Sequence, residues 1–143
     1  MAQKNLTDEQ KNFQNSMVTF LREEGYTPSI DSDGWIAFKS ESKSFWIIIE
    51  MESPFFVTFK RSGFKLGGDD GFQLSASLLA CNEVNKASRA VKMYCGETSV
   101  YLQIEQYTHS AEDFKYVFYK NLSVLSDAAK KFVEEYNKFQ EDQ

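Results

Sequence analysis

Between Ser44 and Lys60 the chain reads SFWIIIEMESPFFVTFK, and its apolar positions do not keep to one side. In an extended strand Phe45, Ile47, Ile49 and Met51 point one way, while Trp46 and Ile48 point the other. A half-buried strand carries polar residues on its second face, so this segment is expected to lie in a sheet with something against both sides. Similar short runs flank it. Trp35 to Lys39 follows the turn sequence DSDG, Phe45 to Met51 follows ESKS, and Phe55 to Arg61 follows Ser53-Pro54, which together predict an antiparallel meander. Two further strands are predicted at Ala90 to Cys95 and Ser99 to Tyr107, joined by the hairpin-length Gly96-Glu97-Thr98.

The helical period accounts for the rest. Thr7 and Gln10 have capping-box spacing, Phe13, Met17, Phe20 and Leu21 follow on one stripe, and Gly25 and Pro28 end the helix. A second helix is expected from about Phe72 to Ala87, after GGDDG (Gly67 to Gly71), and it is apolar on two sides. Phe72, Ala76, Leu79, Ala80, Val84 and Ala87 form one stripe, and Leu74, Leu78 and Cys81 form another. A surface helix needs only one, so the second stripe is a candidate dimer interface. The last helix starts at Ser110 with Asp113 in the capping position and carries Phe114, Phe118, Leu122, Leu125, Ala129, Phe132, Tyr136 and Phe139 on its apolar stripe, with the EDQ tail fraying beyond.

The order helix-βββ-helix-ββ-helix defines an α+β class, with an antiparallel sheet packed by helices. A single domain over residues 1–143 is expected, with an ordered core from about residue 6 to residue 139. In register, one sheet face collects Ile36, Phe38, Phe45, Ile47, Ile49, Phe55, Val57, Phe59, Val91, Met93, Val100, Leu102 and Ile104, and is expected to pack on the first and last helices. The opposite face collects Trp35, Trp46, Ile48, Phe56, Tyr94 and Tyr101 among Thr58, Lys60, Lys92 and Gln103. Aromatic residues mixed with polar ones resemble an interface, so those six are the candidate partner-binding residues; a second helix lying over them is the alternative.

Charge narrows the partners. Sixteen basic against 21 acidic residues give a net charge of -5, and the longest basic cluster is Lys60-Arg61, which is no stripe for nucleic acid. The longest apolar run, Phe45 to Ile49, cannot span a bilayer, and MAQKNLTDEQ has no apolar signal region. No membrane association and a cytoplasmic location are the expectation. Cys81 and Cys95 fit neither a disulfide framework nor a CxxC metal site and read as small buried hydrophobes in a reducing compartment.

Catalytic chemistry finds few candidates. His109 is the sole histidine and has no nucleophile motif around it. DSDG and GGDDG lack the calcium-loop pattern, Gly67 to Gly71 lacks the Lys-Ser/Thr of a phosphate loop, and turn chemistry explains both. The pairs Glu23-Glu24 and Glu134-Glu135 read as solvated helix faces. No catalytic residue, metal ligand or cofactor is expected. The runner-up is a small-ligand carrier or enzyme with a pocket between sheet and helix, to which Tyr94, Tyr101 and His109 would lend polar groups.

Three stretches carry a likeness to a known family. FLREEGYTPSIDSDGWIAFKSE (Phe20 to Glu41) resembles its helix end, glycine and acidic turn into a strand. LLACNEVNKASRAVKMYC (Leu78 to Cys95) resembles its second helix, with Asn82 and Asn85 in an Asn-x-x-Asn step. AEDFKYVFYKNLSVLSDAAKKFVEEY (Ala111 to Tyr136) resembles its closing helix. The chain thus resembles YbjN-type proteins of the type III secretion chaperone-like fold. The resemblance implies a small acidic cytoplasmic protein, often dimeric, with no catalytic residues to carry over. Chaperones of this fold hold extended client segments on apolar patches. The expectation is a non-enzymatic protein-binding module, chaperone-like or regulatory, probing an unidentified protein partner as a homodimer.

Overall fold

The computed structural model describes residues 5–52 and 54–141. Ser53, of the Ser53-Pro54 step, and Asp142 and Gln143 of the tail lie outside the described residues. The element order is α1 (Asp8–Glu23), β1 (Ser29–Ile30), β2 (Ile36–Ser40), β3 (Lys43–Glu50), β4 (Phe55–Lys65), α2 (Leu74–Ala87), β5 (Val91–Cys95), β6 (Ser99–Thr108) and α3 (Ala111–Glu141). The class is α+β. Six strands form an open antiparallel sheet in the order β1-β2-β3-β4-β6-β5. The expected strands are present, and β1 is added to them. It is two residues long, too short to show alternation.

Contacts cluster into two compact units. The first holds the residues up to Lys60 with Glu105–Lys120, and the second holds Arg61–Ile104 with the residues from Asn121 onward.

In the first unit α1 begins with the expected capping box: Thr7 Oγ1 accepts the Gln10 N–H at 3.1 Å, and the Gln10 side chain accepts the Thr7 N–H at 2.9 Å. Gln10 also donates to Met51 O at 3.1 Å, tying the helix start to the end of β3. At the other end the Gly25 N–H donates to Arg22 O and the Tyr26 N–H to Leu21 O, a Schellman closure. That closure needs a left-handed residue at position 25, where Gly25 has φ +95°. The DSDG sequence is a turn, as expected. Asp31 Oδ1 accepts the N–H groups of Asp33 and Trp35, and Gly34 O accepts from Gln14 of α1 at 2.8 Å. β2 and β3 join through Glu41 and Ser42, both at positive φ, with Ser40 opposite Lys43.

The core of this unit is a cluster of rings between the inner sheet face and two helices. Phe13 of α1 meets Phe55 and Phe114, while Phe118 of α3 meets Phe20, Tyr26, Phe38 and Phe59. Burying one such side chain contributes about 1.5–3 kcal/mol.

In the second unit Phe64, Phe72, Phe132 and Tyr136 make a second ring cluster, and the Tyr136 hydroxyl accepts the Gln73 N–H at 2.8 Å. Helix α2 starts at Leu74 rather than Phe72, because Phe72 is held back in a bridge to Leu66. The expected two-sided helix is one-sided in its burial. Ala76, Ser77, Ala80, Cys81 and Val84 are buried on a single arc, while Leu74, Leu78 and Leu79 remain about half exposed beside it. Strands β5 and β6 pair antiparallel, with Tyr94 opposite Tyr101. The Asn85 side chain completes the β5 edge by donating to Met93 O at 2.9 Å and accepting the Met93 N–H at 3.0 Å, so a helix amide replaces a neighbouring strand.

Glu135 departs from the expected solvated helix face. Its carboxylate is buried between Lys131 at 3.1 Å and Lys138 at 3.4 Å, and the hydrogen bond from Lys131 holds it below the ordinary carboxylate range. Helical i,i+3 and i,i+4 spacing brings both lysines to one carboxylate.

Candidate functional site

The six residues expected to bind a partner fall into two groups. In the first unit Ala37 lies directly opposite Trp46, so the outer sheet face carries Ala37 and Lys39 on β2, with Trp35 just before it, beside Trp46 and Ile48 on β3. The Lys60 ammonium stands 5.8 Å from the Trp35 ring centroid, a cation–π contact, and burial lowers its pKa. Phe56 packs edge-on against Tyr107 at 5.1 Å. Trp35, Trp46, Ile48 and Phe56 are all half-buried, whereas Tyr107 is 64% exposed. Tyr107 belongs to this face although the sequence pattern did not single it out, because it lies at the end of β6, past the last inward-facing position assigned there.

In the second unit the Tyr94 and Tyr101 rings meet at 5.2 Å, tilted by 31°, with the Lys92 ammonium 5.6 Å from the Tyr94 ring. Their contact follows from their cross-strand register.

The three residues of the candidate dimer interface also separate. Leu74 and Leu78 are 54% and 52% exposed, whereas Cys81 is 5% exposed. Seven residues make nearly two full turns, so Cys81 lies within about 20° of Leu74, at the margin of the buried arc. Its thiol lies close enough to that of Cys95 for the two to influence each other's ionisation. The register supports this pairing: Asn85 grips Met93, so one turn back on α2 and two residues along β5 bring Cys81 beside Cys95. Burial, with a smaller contribution from Cys95, pushes the Cys81 thiol up to about 12, and burial raises the Cys95 thiol as well. At pH 8 such a thiol is thiolate in only about one molecule in ten thousand. Iodoacetamide at pH 8 is therefore expected to label the folded protein at least tenfold more slowly than the urea-unfolded chain, with the half-buried Cys95 reacting first. Equal rates in mass spectrometry would contradict this arrangement.

A concavity of about 470 Å³ opens at the β1 end of the sheet in the first unit. Its lining residues include Lys39, the hydroxyl-bearing Thr27, Ser29 and Ser44, and the aromatic Tyr26 and Trp46. A second, of about 390 Å³, holds His109 with Glu9, Asn12, Phe13, Phe55 and Ser110. The Ser110 hydroxyl there accepts the Asp113 N–H at 3.2 Å as the cap of α3. His109 thus lies in the first unit, while Tyr94 and Tyr101 lie in the second.

Among the described residues no group of three or more His, Cys, Asp or Glu is placed to hold a metal ion, and no helix is long and apolar enough to cross a membrane. The chain matches no family model, no curated protein and no solved structure.

Proposed function

We propose that the chain is a non-enzymatic protein-binding module, chaperone-like or regulatory, that holds another polypeptide on the outer sheet face of its first unit. One observation carries this reading: Trp35, Trp46, Ile48 and Phe56 are only partly buried on one face of a sheet whose other face is already filled by α1 and α3. A monomer keeps large contiguous apolar surface only at some cost in solubility, and aromatic surface edged by lysine suits a polypeptide ligand. The likeness to secretion-chaperone and YbjN-type proteins points the same way.

The assay is suppression of aggregation of a thermally unfolded reporter protein. The wild-type chain is expected to slow the rise in light scattering, and the Trp46→Ala/Phe56→Ala double variant, checked for folding by circular dichroism, to lose at least half of that effect. An inactive wild type, or a fully active double variant, would sink the proposal.

The same reading includes a homodimer through Leu74 and Leu78, the exposed leucines on the α2 face beside Cys81. Multi-angle light scattering at micromolar concentration should give twice the chain mass for wild type and a monomer for Leu78→Asp. Because Leu78 is exposed, this substitution is expected to leave the fold intact. A wild-type monomer would end the dimer claim without touching the sheet-face claim.

A further inference from the structure

The concavity beside Lys39 has a floor that ordinary side-chain pockets lack. β1 pairs with β2 at only two positions, Ser29 with Ala37 and Ile30 with Ile36. Main-chain groups along an antiparallel strand point alternately to its two neighbours. Trp35 O accepts the Asp31 N–H, so Trp35 faces β1, as does Ala37, and Lys39 is next in that series. The residue that would answer Lys39 is Thr27. It does not pair, because β1 begins only at Ser29 and the chain before it leaves the sheet toward the Schellman closure at Gly25. The Lys39 N–H and C=O therefore face the concavity with no strand beside them, an edge that an added strand would extend.

Three features define the occupant. Ser29 already holds Ala37, so a strand laid against Lys39 cannot continue past that point and must end there. Lys39 is exposed, makes no ion pair with a described residue and shares the concavity with the hydroxyl-bearing Thr27, Ser29 and Ser44, a setting for an anion. A residue opposite Lys39 would share its face with Ala37 and Trp46, which offer apolar ground. The volume of about 470 Å³ suits a residue or two.

We infer that this concavity captures the free C-terminus of an extended polypeptide with an apolar last residue, the main chain pairing with Lys39, the carboxylate meeting its ammonium, and the last side chain lying on Trp46. This inference rests on the protein-binding reading only in taking a polypeptide as ligand; its site is the sheet edge, not the aromatic face.

The test uses fluorescein-labelled decapeptide pools, random except for a fixed last residue (Phe, Leu, Lys or Glu), each as free acid and as amide, titrated by fluorescence anisotropy. Free acids ending in Phe or Leu should bind at micromolar concentrations, and amidation should weaken them at least tenfold. Lys39→Glu should abolish binding, while Lys120→Glu, exposed and making the same change in net charge, should leave it unaltered. Phe56→Ala should also leave it unaltered, which separates this site from the outer face. Equal binding of acid and amide, an unaffected Lys39→Glu, or no binding by any pool at 100 µM would each overturn the inference. Loss in Phe56→Ala with retention in Lys39→Glu would overturn it in favour of the aromatic face. If N-acetyl-phenylalanine competed as well per molecule as the peptide, the main-chain pairing would fall.

Discussion

Phe118→Ala is expected to remove about 3–5 kcal/mol of folding stability, the range for emptying a fully buried aromatic site. Phe118 has no exposed surface. Its ring touches Phe59 at a centroid distance of 5.4 Å, Phe20 at 5.3 Å, Phe38 at 5.9 Å and Tyr26 at 6.1 Å. Those partners come from α1, the loop before β1 and two strands, and each is held by packing elsewhere, so they cannot close over the gap together. The lost transfer energy therefore adds to an unhealed cavity, and rings in edge-on contact lose a further share. Against a typical total of 5–15 kcal/mol the change is large enough to unfold much of the protein near its growth temperature. Urea unfolding followed by circular dichroism would measure it. Tyr116→Ala, on the same helix but 91% exposed, should cost under about 0.5 kcal/mol. A Phe118→Ala loss below about 1.5 kcal/mol would show that the cluster is not the core described.

How far these features could be read beforehand depends on how local their causes are. The capping box at Thr7, the Gly25 closure and the Ser110 start of α3 lie within five residues of their partners, and sequence alone identified them. Strand alternation likewise placed Trp35, Trp46, Ile48 and Phe56 on one face. The division of that face into a group of four and a Tyr94–Tyr101 pair depends on which residues cluster in three dimensions, which alternation does not encode. On α2 the stripe of Leu74, Leu78 and Cys81 divides at the margin of the buried arc, because a helix docked beside an edge strand buries one arc: Cys81 falls just inside it and the two leucines just outside. Asn85 stood out only as half of an Asn-x-x-Asn step, and its role as a substitute strand needs Met93 eight residues on. The Lys39 concavity was not legible at all. It exists because β1 stops after two residues, and a two-residue strand leaves no period to detect.

Gly63→Ala reverses a familiar rule. Glycine inside a strand ordinarily weakens it, and replacing it with alanine usually gains about 0.5–1 kcal/mol by narrowing the unfolded ensemble. Gly63 lies within β4 and is exposed, so by that rule alanine should be harmless or better. The neighbouring backbone forbids it. A Cβ at position 63 would stand 1.8 Å from Val100 O and 2.9 Å from Val100 C, far inside van der Waals contact. The colliding atoms are main chain, and Val100 is itself fully buried and held opposite Cys95, so no side chain can swing aside. Relief requires displacing one strand from the other, with loss of sheet hydrogen bonds and repacking beneath Val100. Overpacking typically costs 1–3 kcal/mol, and a backbone collision belongs at or above the top of that range, so Gly63→Ala is expected to cost about 3 kcal/mol or more in urea. A lone glycine in an aromatic strand is the sequence signal for such a close approach. A Gly63→Ala variant as stable as wild type would mean that β4 does not approach Val100 this closely.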